Sequence, residues 1–321
     1  MRRIDYVIKR TASAILTVFA AITVNFFLFR VLPGNAVTGI AHVPNATPQL
    51  RRALTTEFGL DKSKWDQYLA YLNQLLHGNL GISFANQQSV TSNLRSALLN
   101  TIPVVLVATI ISLLLGVGVG VLSAWKRGSF TDHALTTTAV ATYAFPTQWI
   151  ALLLLIGFSS VLPTAGSQDV FSLVEPSMWQ QIVDYSRHMI LPATTLALTL
   201  YGGNAIVVRS AMLETLGEDY ILTARAKGMR QRRIVIRHAL RGAMLPVTTL
   251  ITLSLGTIVA GAILVEVVFS WPGVGEALYD AVKHRDYPVL QGGFLVLIVS
   301  VVFFNFVADL LYVRLDPRVV E

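Results

Sequence analysis

The sequence predicts an all-α membrane protein, and three observations carry that expectation: an apolar composition poor in charge, six long apolar segments, and basic residues gathered in alternate connections between them. Of 321 residues, 54% are hydrophobic and 13% charged, against ~25% charge in an ordinary soluble domain. Mean hydropathy is +0.60. A hydrocarbon core about 30 Å thick takes roughly 20 helical residues to cross. A charge at mid-helix costs about 2.5 to 3.5 kcal/mol on the insertion scale. Apolar segments of sufficient length fall at 11–32, 96–125, 134–162, 189–210, 242–270 and 289–312, and six crossings put both termini on one side.

The first segment follows Arg2, Arg3, Lys9 and Arg10, as a signal peptide would. Its apolar run exceeds the usual 7 to 15 residues or so and no small-x-small site follows it, so it reads as a retained helix. The connection 33–95 reads as a folded, helical extracytoplasmic insertion. Thr47 can cap a helix with Pro48 at its first position, ending at Gly59 after Phe58. Ser63, with Asp66 three residues on, can cap a second, in which Trp65, Tyr68, Leu69, Leu72, Leu75 and Leu76 recur at helical spacing. That stripe is expected to bury against the membrane surface or the tops of other helices, or else against a soluble partner.

In the second span Gly116, Gly118 and Gly120 include a four-residue step of small residues that lets two helix backbones approach; this is packing, not phosphate binding. Pro146 removes a backbone donor from the third span and is expected to kink it. Between the fourth and fifth spans, 211–241 carries the densest charge and reads as helix, turn, helix. Asp219 can cap the first helix, which runs through Tyr220, Ala224 and Lys227 and ends at Gly228. In the second, Ile234, Val235 and His238 share a face, while Arg232, Arg233, Arg237 and Arg241 can turn to water or anionic headgroups.

Lys and Arg beside membrane spans stay cytoplasmic. One side holds the basic residues before the first span, Lys126 and Arg127, the cluster from Arg209 to Arg241, and Arg314 and Arg318. The other holds fewer, mostly in the long first loop. Both termini are therefore expected in the cytoplasm. The net charge of +7 follows from this topology and does not call for nucleic acid. With no cysteine, disulfides and thiolate metal sites are excluded. Intramembrane polar residues are candidates for the transport pathway: Asn25, Asn204, Glu266 and Asn305, with Asp309 nearer the cytoplasmic end. For Glu266, near the outer end of the fifth span, snorkelling or a pairing with Arg30 stands beside substrate contact.

The stretch Asp219-Tyr220-Ile221-Leu222-Thr223-Ala224-Arg225-Ala226-Lys227-Gly228-Met229, with His238-Ala239-Leu240-Arg241 and Leu245-Pro246, resembles the signature loop of the dipeptide and oligopeptide permeases, subunits of ATP-binding-cassette (ABC) importers. In the wider importer motif Glu-Ala-Ala precedes the glycine; Leu222-Thr223-Ala224 stand there instead, a departure usual in the peptide branch. The resemblance extends through Phe58-Gly59-Leu60-Asp61, Gly78-Asn79-Leu80-Gly81 with Ser83, Leu191-Pro192-Ala193, Arg209-Ser210-Ala211-Met212-Leu213-Glu214, Phe269-Ser270-Trp271-Pro272-Gly273-Val274-Gly275, Asp286-Tyr287-Pro288 and Leu315-Asp316-Pro317-Arg318. Ala144 and Gln148 depart from the family's Ser-x-Pro-x-Phe. The long first loop is that of one particular member of the permease pair.

The resemblance implies a type I importer architecture in the cell inner membrane. The expected partners are a second homologous permease, two cytoplasmic ABC ATPase domains, an extracytoplasmic substrate-binding protein and membrane lipid. It implies that Asp219, Tyr220, Thr223, Ala224, Ala226, Lys227 and Gly228 form the coupling helix on the ATPase. No G-x-x-x-x-G-K-[ST] phosphate loop is present, so ATP and magnesium belong to partner subunits and this chain carries no cofactor, metal or catalytic residue. Peptides are the expected cargo; nickel complexes, haem, glutathione or oligosaccharides suit the same architecture. An ion-coupled carrier would show midplane acids and broken helices in two related halves, and an intramembrane enzyme would show H-E-x-x-H, G-x-S-x-G or a paired acid and base mid-span. None is evident.

Overall fold

Apolar helix after apolar helix requires that backbone polar groups be satisfied within each segment, which in lipid only helices and closed barrels achieve. The computed structural model describes residues 3–31, 47–49, 62–169, 177–244 and 262–315. Among these there is no strand beyond an isolated bridge between Ile82 and Ser89. The helices, in order, are α1 (Arg3–Val31), α2 (Lys64–Leu76), α3 (Val90–Trp125), α4 (Phe130–Ala144), α5 (Thr147–Phe158), α6 (Met178–Leu216), α7 (Asp219–Ala226), α8 (Val274–His284) and α9 (Tyr287–Leu315). Between α7 and α8 lie a single helical turn at Gln231–Arg233, a π-helix at Ile234–Ala239, and helical residues 240–244 and 262–268.

Four of these helices, α1, α3, α6 and α9, are long and apolar enough to cross a membrane. The fifth expected span falls largely on 245–261, outside the described residues, as do Leu245-Pro246, Phe58-Gly59-Leu60-Asp61 and Asp316-Pro317-Arg318. The expected helix opening at Thr47 and Pro48 likewise runs into undescribed residues after 49.

The third span departs from expectation. Instead of one kinked helix there are two, α4 and α5, meeting at 104°. Phe145 before the proline is extended (φ −78°, ψ 133°) and Pro146 stands at the N-cap of α5. Proline's ring disfavours the helical region for the residue before it, so the chain leaves the helix at Phe145 and starts afresh.

The centre of the bundle is α3 against α6. A Cβ on Gly116 would lie 2.6 Å from the Asn204 Cβ, and one on Gly120 would lie 2.6 Å from the Val208 Cβ and 2.7 Å from the Ala205 carbonyl, whereas one on Gly118 would meet nothing within 4 Å among the described residues. The two glycines four apart therefore face the partner helix and the third faces away. Around this pair, Val104, Ala108, Leu191, Leu196, Phe269 and Trp271 form a central core. One end of the bundle is closed by Val90, Leu94, Leu278 and Val289, the other by Ala124, Met212, Ile221 and Ile234.

Helix α2 is capped by Ser63, which accepts from the Asp66 amide at 3.1 Å. Tyr68 is buried against Phe26 and Phe27 of α1 and shares a 2.8 Å hydrogen bond with Thr23. Trp65, Leu69 and Leu76 of the same stripe remain exposed.

Candidate coupling segment and its polar anchors

Helix α6 ends at Gly217, and Glu218, extended at φ −71° and ψ 148°, stands at the N-cap of α7. Asp219 was the expected cap; it is instead the first helical residue, an acid in the first turn where the helix dipole favours it. The helix closes as the sequence leads one to expect from a glycine. Gly228 adopts φ +71°, its amide donates to the Arg225 carbonyl at 2.9 Å, and the Met229 amide reaches Ala224 at 3.3 Å. Only a residue without a Cβ takes that conformation freely.

Ile221 and Ala224 point inward and pack with Ala124, Val208, Met212, Ile234 and Val235. Of the residues singled out in the sequence, Asp219, Tyr220, Thr223, Ala226, Lys227 and Gly228 are exposed, while Ala224 is buried. Leu222, not among them, exposes an apolar side chain on the outer face. The Tyr220 hydroxyl leans on Gly242, where an added Cβ would stand 2.8 Å away. Burial, and then Glu218, push the Tyr220 phenol above its ordinary pKa.

The following face differs from the sequence reading in one residue. Ile234 and Val235 are buried, but Ala239, not His238, completes the buried set. The cause is the π-helix: the Leu240 amide donates to the Val235 carbonyl, five residues back, so residues five apart align in place of those four apart. His238 is left at the margin with a buried Nε2 that has no hydrogen-bond partner.

At the same end, α4 is tied to α6 by a contact the sequence did not announce. Arg209 Nε donates to Asp132 Oδ1 at 2.9 Å and a terminal nitrogen donates to Oδ2 at 3.0 Å. The Gly128 amide and Thr136 hydroxyl complete the carboxylate at 3.0 and 3.2 Å. Ser129 caps the helix, accepting from the Asp132 amide. The spacing Ser129 to Asp132 is a capping signal, lying just ahead of the apolar segment that starts at 134.

The opposite end is held by two buried carboxylates. Glu266 does not snorkel: it is 1% exposed, accepts from Thr101 Oγ1 at 2.6 Å through one oxygen and from the Gly275 amide at 2.6 Å through the other. Thr101 in turn accepts from the Val274 amide at 2.9 Å. The Arg30 side chain, offered as a partner, lies outside the described residues. Trp271, fully buried, donates to the Asn100 carbonyl at 3.1 Å, and Asn100 Nδ2 donates to the Pro272 carbonyl at 2.9 Å. Phe269-Ser270-Trp271-Pro272-Gly273-Val274-Gly275 is thus a turn wrapped on a carboxylate, with both glycines required where a Cβ would strike it. Asp286 accepts from Ser83 Oγ and from the Ala85 amide at 3.1 Å, joining the start of α9 to the chain ahead of α3. Asp132, Thr101 and Asp286 were not singled out as site residues.

The remaining polar candidates are dispersed. Asn25, buried, donates to the Gln291 carbonyl at 2.9 Å. Asn204 donates to Ser112 Oγ at 3.4 Å across the α3–α6 contact. Asn305 is exposed beside the Arg10–Asp309 pair, which is 3.3 Å apart. No group of three His, Asp or Glu able to hold a metal occurs among the described residues.

The family described as binding-protein-dependent transport system inner membrane component matches residues 116–321, and its N-terminal companion matches residues 3–106. The chain is 38% identical over 334 positions to the dipeptide transport system permease protein DppB of Escherichia coli strain K12, covering 98% of each chain. It is 38% identical to the di/tripeptide transport system permease protein DppB of Pseudomonas aeruginosa and 34% identical to the oligopeptide transport system permease protein AppB of Bacillus subtilis, again over 98% of each chain. Among solved structures it resembles a chain of an amino acid ABC transporter with histidines (TM-score 0.53, 14% identity, 70% of this chain and 94% of that one). It also resembles a chain of the inward-facing MetNI methionine ABC transporter (TM-score 0.55, 18% identity, 70% and 96%). These structural likenesses show the fold.

Proposed function

The chain belongs to the binding-protein-dependent transport system inner membrane component family, and we propose that α7 is the point at which ATPase movement enters it. It is a permease subunit of an ABC importer of the dipeptide and oligopeptide class. In this reading it forms half of a pathway whose other half is a second permease, fed by an extracytoplasmic binding protein that selects the peptide. Two cytoplasmic ATPase domains bind and hydrolyse ATP with magnesium. Both termini, and the segment 211–241 with them, lie in the cytoplasm.

The observation that supports this best is the construction of α7. It is a short, exposed helix whose inner residues Ile221 and Ala224 are locked into the same core as the ends of α3 and α6. Such an element moves with the bundle rather than independently of it. A transporter working by two global states needs a contact that differs between them, and a stiff external helix can carry one.

The test is reconstitution with the second permease and the ATPase subunits. Peptide-loaded binding protein should accelerate ATP hydrolysis, and peptide should accumulate only with ATP. Peptide transport by this chain alone, or a complex in which α7 crosslinks to no ATPase subunit, would overturn the reading.

A further inference from the structure

After α7 the chain places Arg230, Arg232, Arg233 and Arg237 within eight residues. All four are exposed, and among the described residues none has a carboxylate within ion-pair distance. Their side chains border an open, shallow depression of about 290 Å³ with an almost wholly apolar wall, at which Ile236 is left 48% exposed. Arg237 also borders a neighbouring cavity of about 360 Å³ with Arg241. Like charges held together without a counter-charge call for an anion. Guanidinium forks match phosphate oxygens better than any other side chain does.

Position indicates the source of that anion. Ile234 and Val235 belong to the same buried cluster as Ala124, and Ala124 precedes Trp125, the last residue of α3. A tryptophan at the end of an apolar helix, followed by Lys126 and Arg127, marks headgroup depth. The π-helix therefore runs at that depth, turning Ile234 and Val235 to the core and Ile236 outward. An apolar residue set among arginines suits a surface that is charged outside and apolar just beneath.

We propose that Arg230, Arg232, Arg233 and Arg237 bind the phosphate of an anionic phospholipid headgroup, with Ile236 against the top of its acyl chains. This rests on the reading that the segment faces the cytoplasmic leaflet of an importer. An acidic patch on an ATPase subunit is the rival occupant, but α7, which projects mixed polar and apolar groups away from the core, is the better surface for a soluble partner.

The assembled complex is placed in lipid nanodiscs of phosphatidylcholine alone and of phosphatidylcholine with phosphatidylglycerol, and the lipid retained after extraction is measured by native mass spectrometry. Each arginine near an anionic surface is worth about fivefold in association. Arg232→Gln/Arg233→Gln/Arg237→Gln should therefore lower phosphatidylglycerol retention by at least tenfold, and the corresponding Lys triple variant, which keeps the charges but not the guanidinium forks, should fall between it and wild type. Inorganic phosphate in the buffer should not displace the lipid; displacement at millimolar phosphate would assign the site to a free anion and overturn the proposal. Equal phosphatidylglycerol retention by wild type and the Gln variant overturns it as well. So does loss of the ATPase subunits from the Gln variant in phosphatidylcholine alone, which would assign the arginines to a protein contact. Selective retention by a complex in which α7 crosslinks to no ATPase subunit would support the lipid site while defeating the coupling reading.

Discussion

Arg209 and Asp132 meet in a two-pronged ion pair, at 2.9 and 3.0 Å, that joins the first turn of α4 to α6 two turns before α6 ends. Asp132 is 2% exposed, so its charge depends on the guanidinium. Removing Arg209, whose side chain is itself 26% exposed, strands the Asp132 charge with only Gly128 and Thr136 as donors, a loss below the full cost of breaking a buried pair. Arg209→Ala should therefore lower the thermal inactivation midpoint of the purified complex markedly. Asp132→Asn combined with Arg209→Gln, which strands no charge, should recover much of the loss. Equal midpoints for Arg209→Ala and wild type would show that the pair holds nothing together.

Gly228 adopts φ +71° and, among the described residues, no atom lies within 4 Å of where its Cβ would be. The cost of a side chain there is therefore one of backbone conformation, roughly 1 to 2 kcal/mol, and falls on the shape of the turn rather than on packing. Gly228→Val should reduce stimulation of the partner ATPase by loaded binding protein while membrane insertion stays normal. Gly228→Asn, better suited to the left-handed region, should fall between. Full stimulation in the Val variant would separate this turn from coupling.

Two glycines on one helix provide an internal control. A Cβ at Gly120 meets Val208 and the Ala205 carbonyl, and one at Gly118 meets nothing among the described residues. Gly120→Ala should force α3 and α6 apart, at the cost of about 1 to 3 kcal/mol typical of overpacking. Gly118→Ala should be neutral or slightly stabilising, since alanine favours helix. Thermal aggregation of the two variants in the same detergent checks the order, and a reversed order would refute the packing.

Local features were legible in the sequence wherever the signal was short-range. The turn at Gly228, the close-packing step from Gly116 to Gly120 and the Ser63 cap each depend on residues within a few positions of one another. The ties that fix the ends of the bundle were not legible, because their partners are far apart in the chain: Asp132 with Arg209, Ser83 with Asp286, Thr101 with Glu266. An apolar window also discards its own edges, which is where Asp132 lies. Periodicity misplaced His238 because a π-helix shifts the repeat by a residue, and Pro146 divided a span because nothing in a hydropathy profile distinguishes a kink from a 104° turn.

Asp286 is 2% exposed and accepts from Ser83 and Ala85. Asp286→Ala leaves those donors unpaired, a loss of about 1 to 3 kcal/mol for each buried group stranded. The effect should be local, freeing residues 78–89 from the start of α9. Limited proteolysis should cut that stretch faster in Asp286→Ala than in wild type, and unchanged protection would show that the bridge at Ile82 and Ser89 suffices.

Glu266 is the intramembrane acid most open to a reading as a substrate contact, and its two hydrogen bonds favour a structural role instead. Both oxygens are acceptors already in use, one for Thr101 and one for the Gly275 amide. Glutamine can accept from the Gly275 amide and turn its NH2 to the Thr101 hydroxyl, which already accepts from the Val274 amide, so Glu266→Gln reverses one of the two bonds and should loosen the turn at 269–275 modestly. A structural role, which suits a group 1% exposed, predicts a lower inactivation midpoint with unchanged preference among competing peptides. A substrate role predicts the reverse: an intact fold and a shifted preference. Measuring both on one preparation separates them, and a shifted peptide preference at unchanged stability would overturn the assignment of this carboxylate to the turn.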